Sequence, residues 1–251
     1  MKKRLIARID VKNEYAIKGI HLEGLRKVGD PNDLAKKYYD EGIDEIVFMD
    51  AVAAYYDRNS LSHIIKKATN NVFVPITVGG GIRNVDDIQG ALNAGADKVA
   101  INTQAINNPD FLEKASRIFG SQAIVASIEA KKTDQNKWVA YTDNGREPTN
   151  IDVFDWIKRV EELGAGEIML TSIDKEGTKT GFDIDLNKKA AEFCSIPLIV
   201  CGGAGNKEHC SDTMRIEGID SIAIASVLHY KIEKIKGIKD LIASNGIKIR
   251  S

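Results

Sequence analysis

Apolar residues along the chain gather into eight short runs, at 5–11, 45–49, 75–78, 98–102, 123–128, 167–172, 197–201 and 221–225. Each closes near Gly, Asn or Asp, which is the length and punctuation of a buried strand. Between them, apolar residues recur at three- and four-residue spacing over 32–41, 85–94, 109–119, 151–163 and 184–193, predicting amphipathic helices. Asp30-Pro31 and Asn108-Pro109 are helix-start signals. Strands alternating with helices over short connections predict a parallel sheet with helical crossovers. Eight such units in 251 residues fit a closed (β/α)8 (TIM) barrel, whereas a doubly wound open sheet would usually need fewer strands. No linker or low-complexity stretch interrupts the chain, so 1–251 is read as one domain. The connections 12–29 and 129–150 are long. Both follow strand C-terminal ends, the active face of a barrel, and are expected to be lids or binding loops.

The two halves repeat. Asp10 recurs as Glu129, Gly42 and Glu45 as Gly164 and Glu167, Val78-Gly79-Gly80 as Cys201-Gly202-Gly203, and Gly95 as Gly218, each about 120 positions on. That predicts two fused (β/α)4 halves, approximately 1–120 and 121–251. A doubled barrel carries equivalent groups on opposite sides of its mouth. Here they are two carboxylates, Asp10 and Glu129, and two glycine-rich turns whose backbone N–H groups can approach phosphate. The pattern points to a substrate with a phosphate at each end and its reacting centre between the carboxylates.

Charge adds exclusions. Thirty-five Lys+Arg against 36 Asp+Glu leave a net −1, and no basic stripe offers a nucleic-acid surface. Hydrophobic content of 43% with 28% charged residues describes a globule, and no apolar run is long enough to cross a membrane. The basic start, residues 1–4, is not followed by the apolar length of a signal peptide. Cys194, Cys201 and Cys210 cannot all pair within the chain, which fits the reducing cytoplasm. With His209 they match no zinc spacing, and neither metal nor cofactor is expected. His229, Trp138 and Trp156 are read as packing residues, while Tyr55 and Tyr56 stand in a βα loop where aromatic rings could reshape a substrate mouth.

Several stretches carry a family resemblance: Asp10-Val11-Lys12, Thr77-Val78-Gly79-Gly80-Gly81-Ile82, Gly95-Ala96-Asp97-Lys98-Val99, Leu170-Thr171-Ser172-Ile173-Asp174, Gly177-Thr178-Lys179 and Gly202-Gly203-Ala204-Gly205. Over essentially its whole length the chain resembles the cyclase subunits of imidazole glycerol phosphate synthase, enzymes of histidine biosynthesis. The resemblance implies conversion of a bisphosphorylated ribulosyl formimino carboxamide ribotide, with ammonia, to imidazole glycerol phosphate and an aminoimidazole carboxamide ribotide. It places catalysis at Asp10 and Glu129. Phosphate and substrate contacts fall at Lys18, Gly81, Thr103, Thr171, Asp174, Gly203 and Ser226, with Lys18 on a mobile first loop. It further implies a glutamine amidotransferase (glutaminase) subunit docked on the N-terminal face as a heterodimer. Ammonia would enter through a gate of Arg4, Glu45, Lys98 and Glu167, all four of which stand at or beside strand starts.

Departures from the family pattern gather at the mouth. Glu129 replaces an aspartate, Arg8 a small residue, residues 51–56 a hydroxyl-bearing run, and Asn144 and Cys201 serines. By strand alternation Arg8 shares the inward face of Asp10, where a guanidinium favours ionised carboxylates. Two further readings therefore stand beside the cyclase. One is a paralogue channelling ammonia to amidino-sugar synthesis for a surface glycan; the other is a non-catalytic conduit that activates a glutaminase.

Overall fold

The computed structural model describes residues 2–52 and 61–250; Tyr55 and Tyr56 lie outside the described residues. Eight parallel strands close a barrel: β1 (Arg4–Lys12), β4 (Glu45–Asp50), β5 (Ile76–Gly79), β6 (Lys98–Ile101), β7 (Ile124–Asp134), β10 (Glu167–Ser172), β11 (Leu198–Cys201) and β12 (Ser221–Ile224). β12 pairs back onto β1 and β7 onto β10, so the ring has no free edge. All eight match the apolar runs read from the sequence, because a strand covered on both faces must be apolar almost throughout.

The remaining strands lie in the two long connections. These are not irregular lids: β2 (Tyr15–Ile20) and β3 (Glu23–Gly29) extend β1 antiparallel, and β8 (Lys137–Thr142) and β9 (Glu147–Asp152) extend β7. The same addition occurs at the first and fifth barrel strands.

Helices cover the outside: α1 (Pro31–Asp40), α2 (Ser62–Ala68), α3 (Val85–Asn93), α4 (Thr103–Asn107), α5 (Pro109–Phe119), α6 (Val153–Glu162), α7 (Ile184–Phe193), α8 (Lys207–Met214), α9 (Ser226–His229) and α10 (Ile235–Ser244). Their caps also recur. Asp30 and Asp152 cap α1 and α6, each accepting two backbone N–H bonds, and Asn84 and Asn206 cap α3 and α8. Each such cap satisfies helix N–H groups that otherwise lack a partner.

At the N-terminal end of the barrel, aspartates just before three strands clasp the neighbouring strand. Asp44 accepts from Leu5 N (2.7 Å), Asp97 from Ile76 N (2.8 Å) and Asp220 from Leu198 N (3.1 Å). Inside, alternation turns every second residue inward. Ile6, Val47, Met49, Ala100, Val125, Met169, Ile199 and Ala223 form an apolar core within the ring, separate from the larger core between strands and helices. This small core has charged side chains at both ends.

Trp138 is fully buried on β8, edge-on to Phe154, and donates to Asp183 Oδ2 at 3.2 Å. His229 stacks on Tyr38 and shares a 2.7 Å hydrogen bond with its hydroxyl; burial holds its pKa down, at about 4. Both are packing residues, as is Trp156 in α6. Burial pushes the thiols of Cys194 and Cys210 up to about 12. Among the described residues no group of His, Cys, Asp and Glu is placed to hold a metal.

Candidate active site

The N-terminal opening is crossed by four charged side chains. Arg4 donates to Glu45 (2.7 Å) and to Glu167, while Lys98 bonds Glu45 (3.1 Å) and Glu167 (2.7 Å). Strands β1, β4, β6 and β10 each supply one member, so the four predicted gate residues form one closed alternating ring. Arg4, Glu45 and Glu167 are buried. Arg250, from the C-terminal segment, reaches Glu45 at 3.8 Å from outside.

At the opposite end the first and fifth barrel strands present Asp10 and Glu129, both buried. Their surroundings differ. Asp10 Oδ1 accepts from Arg8 Nε (2.8 Å) and Oδ2 from Lys18 Nζ (3.1 Å), and Lys18 also pairs with Glu176. Burial alone would raise the Asp10 pKa, but the Arg8 and Lys18 cations outweigh it and hold the carboxyl well below the usual range. Glu129 Oε2 accepts from Asn102 Nδ2 (3.0 Å) and Gly145 N (2.7 Å), both neutral donors. Burial there wins over the more distant Arg8 charge and over the Gly145 bond, and pushes the pKa up to about 7. The cations beside Asp10 thus favour its charged form, while burial among neutral donors favours the neutral form of Glu129.

Arg8 points into the barrel as strand alternation requires, and is 1% exposed. Besides Asp10 it reaches Thr171 Oγ1 at 3.0 Å and Cys201 Sγ at 3.6 Å, bridging β1 to β10 and β11. Thr171 is accordingly a buried partner of Arg8.

The glycine-rich turns follow β5 and β11, on opposite sides of the ring. Gly80 and Gly203 have φ of 90° and 106°, and a Cβ on either would lie within about 2.3 Å of backbone oxygen, 2.3 Å from Asp50 O and 2.1 Å from Gly181 O. Only glycine fits both demands. The turn after β5 opens on a cavity of about 330 Å³ lined by Gly80, Gly81, Asn102, Thr103, Ser127 and Glu129. The turn after β11 borders a cleft of only about 10 Å³ with Gly203, Ala225 and Ser226, space for about one water. Gly177 joins that cleft to a wider cavity of about 550 Å³ lined by Lys18, Arg26, Lys179 and Tyr230. The mouth therefore has two opposed glycine turns with unequal space above them.

Besides Thr171, two of the expected substrate contacts are engaged within the protein. Lys18 is not on a mobile loop: it lies on β2, 3% exposed, inside the ion-pair cluster. The local cause is its place on a strand edge that folds back over Asp10. Asp174 is half-buried and accepts from Lys132 N (2.8 Å), which ties the loop after β10 to β7. Glu176 and Asn102 were not singled out by sequence. Glu176 lies within the charged 173–179 stretch, where nothing local signals a partner on β2. Asn102 ends an apolar run and reads there as strand punctuation.

A family model described as histidine biosynthesis protein matches residues 4–234. The imidazole glycerol phosphate synthase subunit HisF of Legionella pneumophila is 57% identical over 205 residues, covering 82% of this chain and 97% of that protein. Together with a closed eight-stranded parallel barrel and acidic side chains at the C-terminal ends of its first and fifth strands, these matches bear out the resemblance read from the motifs. The chain belongs to the histidine biosynthesis protein family.

Proposed function

We propose that this chain is the cyclase subunit of an imidazole glycerol phosphate synthase, working as a single barrel domain built from two related halves. The recurrence of caps and hairpins about half a chain apart supports the duplication. One observation carries the functional reading: a closed charged ring spans the barrel's base, and at the opposite end a cavity of about 330 Å³ is lined by Glu129. Between them lies the apolar inner core, a lining that suits neutral ammonia and disfavours ammonium. The ring of Arg4, Glu45, Lys98 and Glu167 is then the ammonia gate. A glutaminase subunit on that face supplies the ammonia, and the reaction takes place in the cytoplasm.

At the mouth, an amine adding to a ketone must shed a proton while the ketone oxygen gains protons and leaves as water. Glu129 and Asp10 flank the place where this occurs, and the turns at Gly81 with Thr103 and at Gly203 with Ser226 hold the phosphate ends. Direct assay tests the reading. With the bisphosphorylated ribotide and ammonium chloride, the purified chain is expected to form imidazole glycerol phosphate. Glutaminase stimulation with no ribotide turnover would replace the cyclase by the conduit reading, which one feature favours: both oxygens of Asp10 are already engaged by cations. The phosphate turns make a separate prediction. Gly203→Ala brings a methyl against Gly181 O, and is expected to weaken inorganic phosphate binding on the order of tenfold by calorimetry.

A further inference from the structure

We propose that Arg8 is a positioning residue that divides the work of the two carboxylates, fixing Asp10 as a permanent anion and leaving proton exchange with the substrate to Glu129. This rests on the cyclase reading and deepens it. The geometry is one-sided. Asp10 has a cation on each oxygen and, among the described residues, is not part of the lining of the three mouth cavities. Glu129 lines the cavity of about 330 Å³ beside the glycine turn after β5, and among the described residues its hydrogen bonds run through Oε2, from neutral donors. Arg8 cannot touch the substrate itself. At 1% exposure it acts only through Asp10, Thr171 and Cys201.

The charged and titratable groups facing Asp10 come from every side of the site. They are Arg8 on β1, Lys18 on β2, Glu176 after β10, Cys201 on β11, Glu129 on β7 and His229 on α9. Two of them are cations in direct contact, and the acidic neighbour Glu176 is itself taken up by Lys18. Around Glu129 the facing charged groups are Arg8, Asp10 and Asp143, and the Arg8 side chain bonds Asp10, Thr171 and Cys201 instead.

A single acid suffices for the addition step. Protonated Glu129 gives its hydrogen to the ketone oxygen as the ammonia nitrogen bonds to carbon. The resulting carboxylate then takes a proton from the new ammonium group, so the O–H bond broken on Glu129 is formed again. Asp10 stays negative throughout and balances Arg8 beneath the reacting centre.

Two measurements decide the matter. The first is kcat/KM for the ribotide with ammonium chloride. Glu129→Gln is expected to lower it about 100-fold or more, and Asp10→Asn less than about tenfold while Arg8 is present. In an Arg8→Met background, the further change Asp10→Asn is expected to cost about tenfold or more, because the freed carboxylate has joined the proton traffic. The second needs no turnover: carboxyl-carbon NMR titration of the folded chain. Asp10 is expected to remain ionised down to about pH 4, and to titrate above that in Arg8→Met. An equal loss in Asp10→Asn and Glu129→Gln with Arg8 intact overturns the proposal. So does an Asp10 titration that Arg8→Met leaves in place, since Lys18 alone would then hold it. If the chain turns over no ribotide at all, the cyclase reading falls, while the titration still decides whether Arg8 fixes Asp10.

Discussion

Arg4→Ala is expected to lower stability by about 3–5 kcal/mol, the cost of breaking a buried ion pair by removing one partner. Arg4 bonds both Glu45 and Glu167, and its loss leaves two buried carboxylates sharing the Lys98 ammonium, whose side chain is 16% exposed. For a chain of this size that corresponds to a melting temperature lower by roughly 6–20 °C. Thermal unfolding by circular dichroism at pH 7 measures it. Replacing the whole charged set, as Arg4→Met and Lys98→Met with Glu45→Gln and Glu167→Gln, should recover most of the loss, because no member of the ring is then left as a stranded charge. A change below about 1 kcal/mol for Arg4→Ala would mean that water reaches the ring as it does an exposed pair.

The second large effect runs the other way. Glu129→Gln is expected to stabilise the fold at pH 8 by about 3 kcal/mol, raising the melting temperature by roughly 6–12 °C. Burial raises the Glu129 pKa from 4.5 to about 7 in the folded chain. Between those values the native state holds a proton that the unfolded state has released, so stability falls as pH rises through this window. Above it the native chain carries a buried carboxylate at full cost. The amide keeps an oxygen for Asn102 and Gly145 without the charge. The gain should vanish by pH 4, where the acid is neutral in both states. Melting curves at pH 4, 6 and 8 would show this, and a gain independent of pH would refute it.

The barrel was legible because each parallel strand is buried on both faces and reads as an uninterrupted apolar run. The mouth was less so. β2 and β3 look like loop in the sequence because much of β3 faces water and the buried run of β2, Ala16 to Lys18, is three residues long and ends in a lysine, which leaves no alternation to see. The inward aim of Arg8 followed from its spacing to Asp10, since a strand's two-residue period fixes the face. What its guanidinium touches did not, because Thr171 and Cys201 are 163 and 193 positions away along the chain. The same holds for Lys18 and Glu176, 158 positions apart. An isolated lysine in a polar stretch looks solvated until its partner is brought to it.

The aspartate clasps at Asp44, Asp97 and Asp220 all bind backbone at one end of the barrel, and none involves a group from the mouth. The cylinder is stitched at its foot, by side chains with no stake in the chemistry. Residues such as Arg8, Glu129 and Asn144 can therefore be exchanged at the rim while the foot keeps the strands in register. A family built this way can change its reaction by editing the rim, without having to reinvent the vessel.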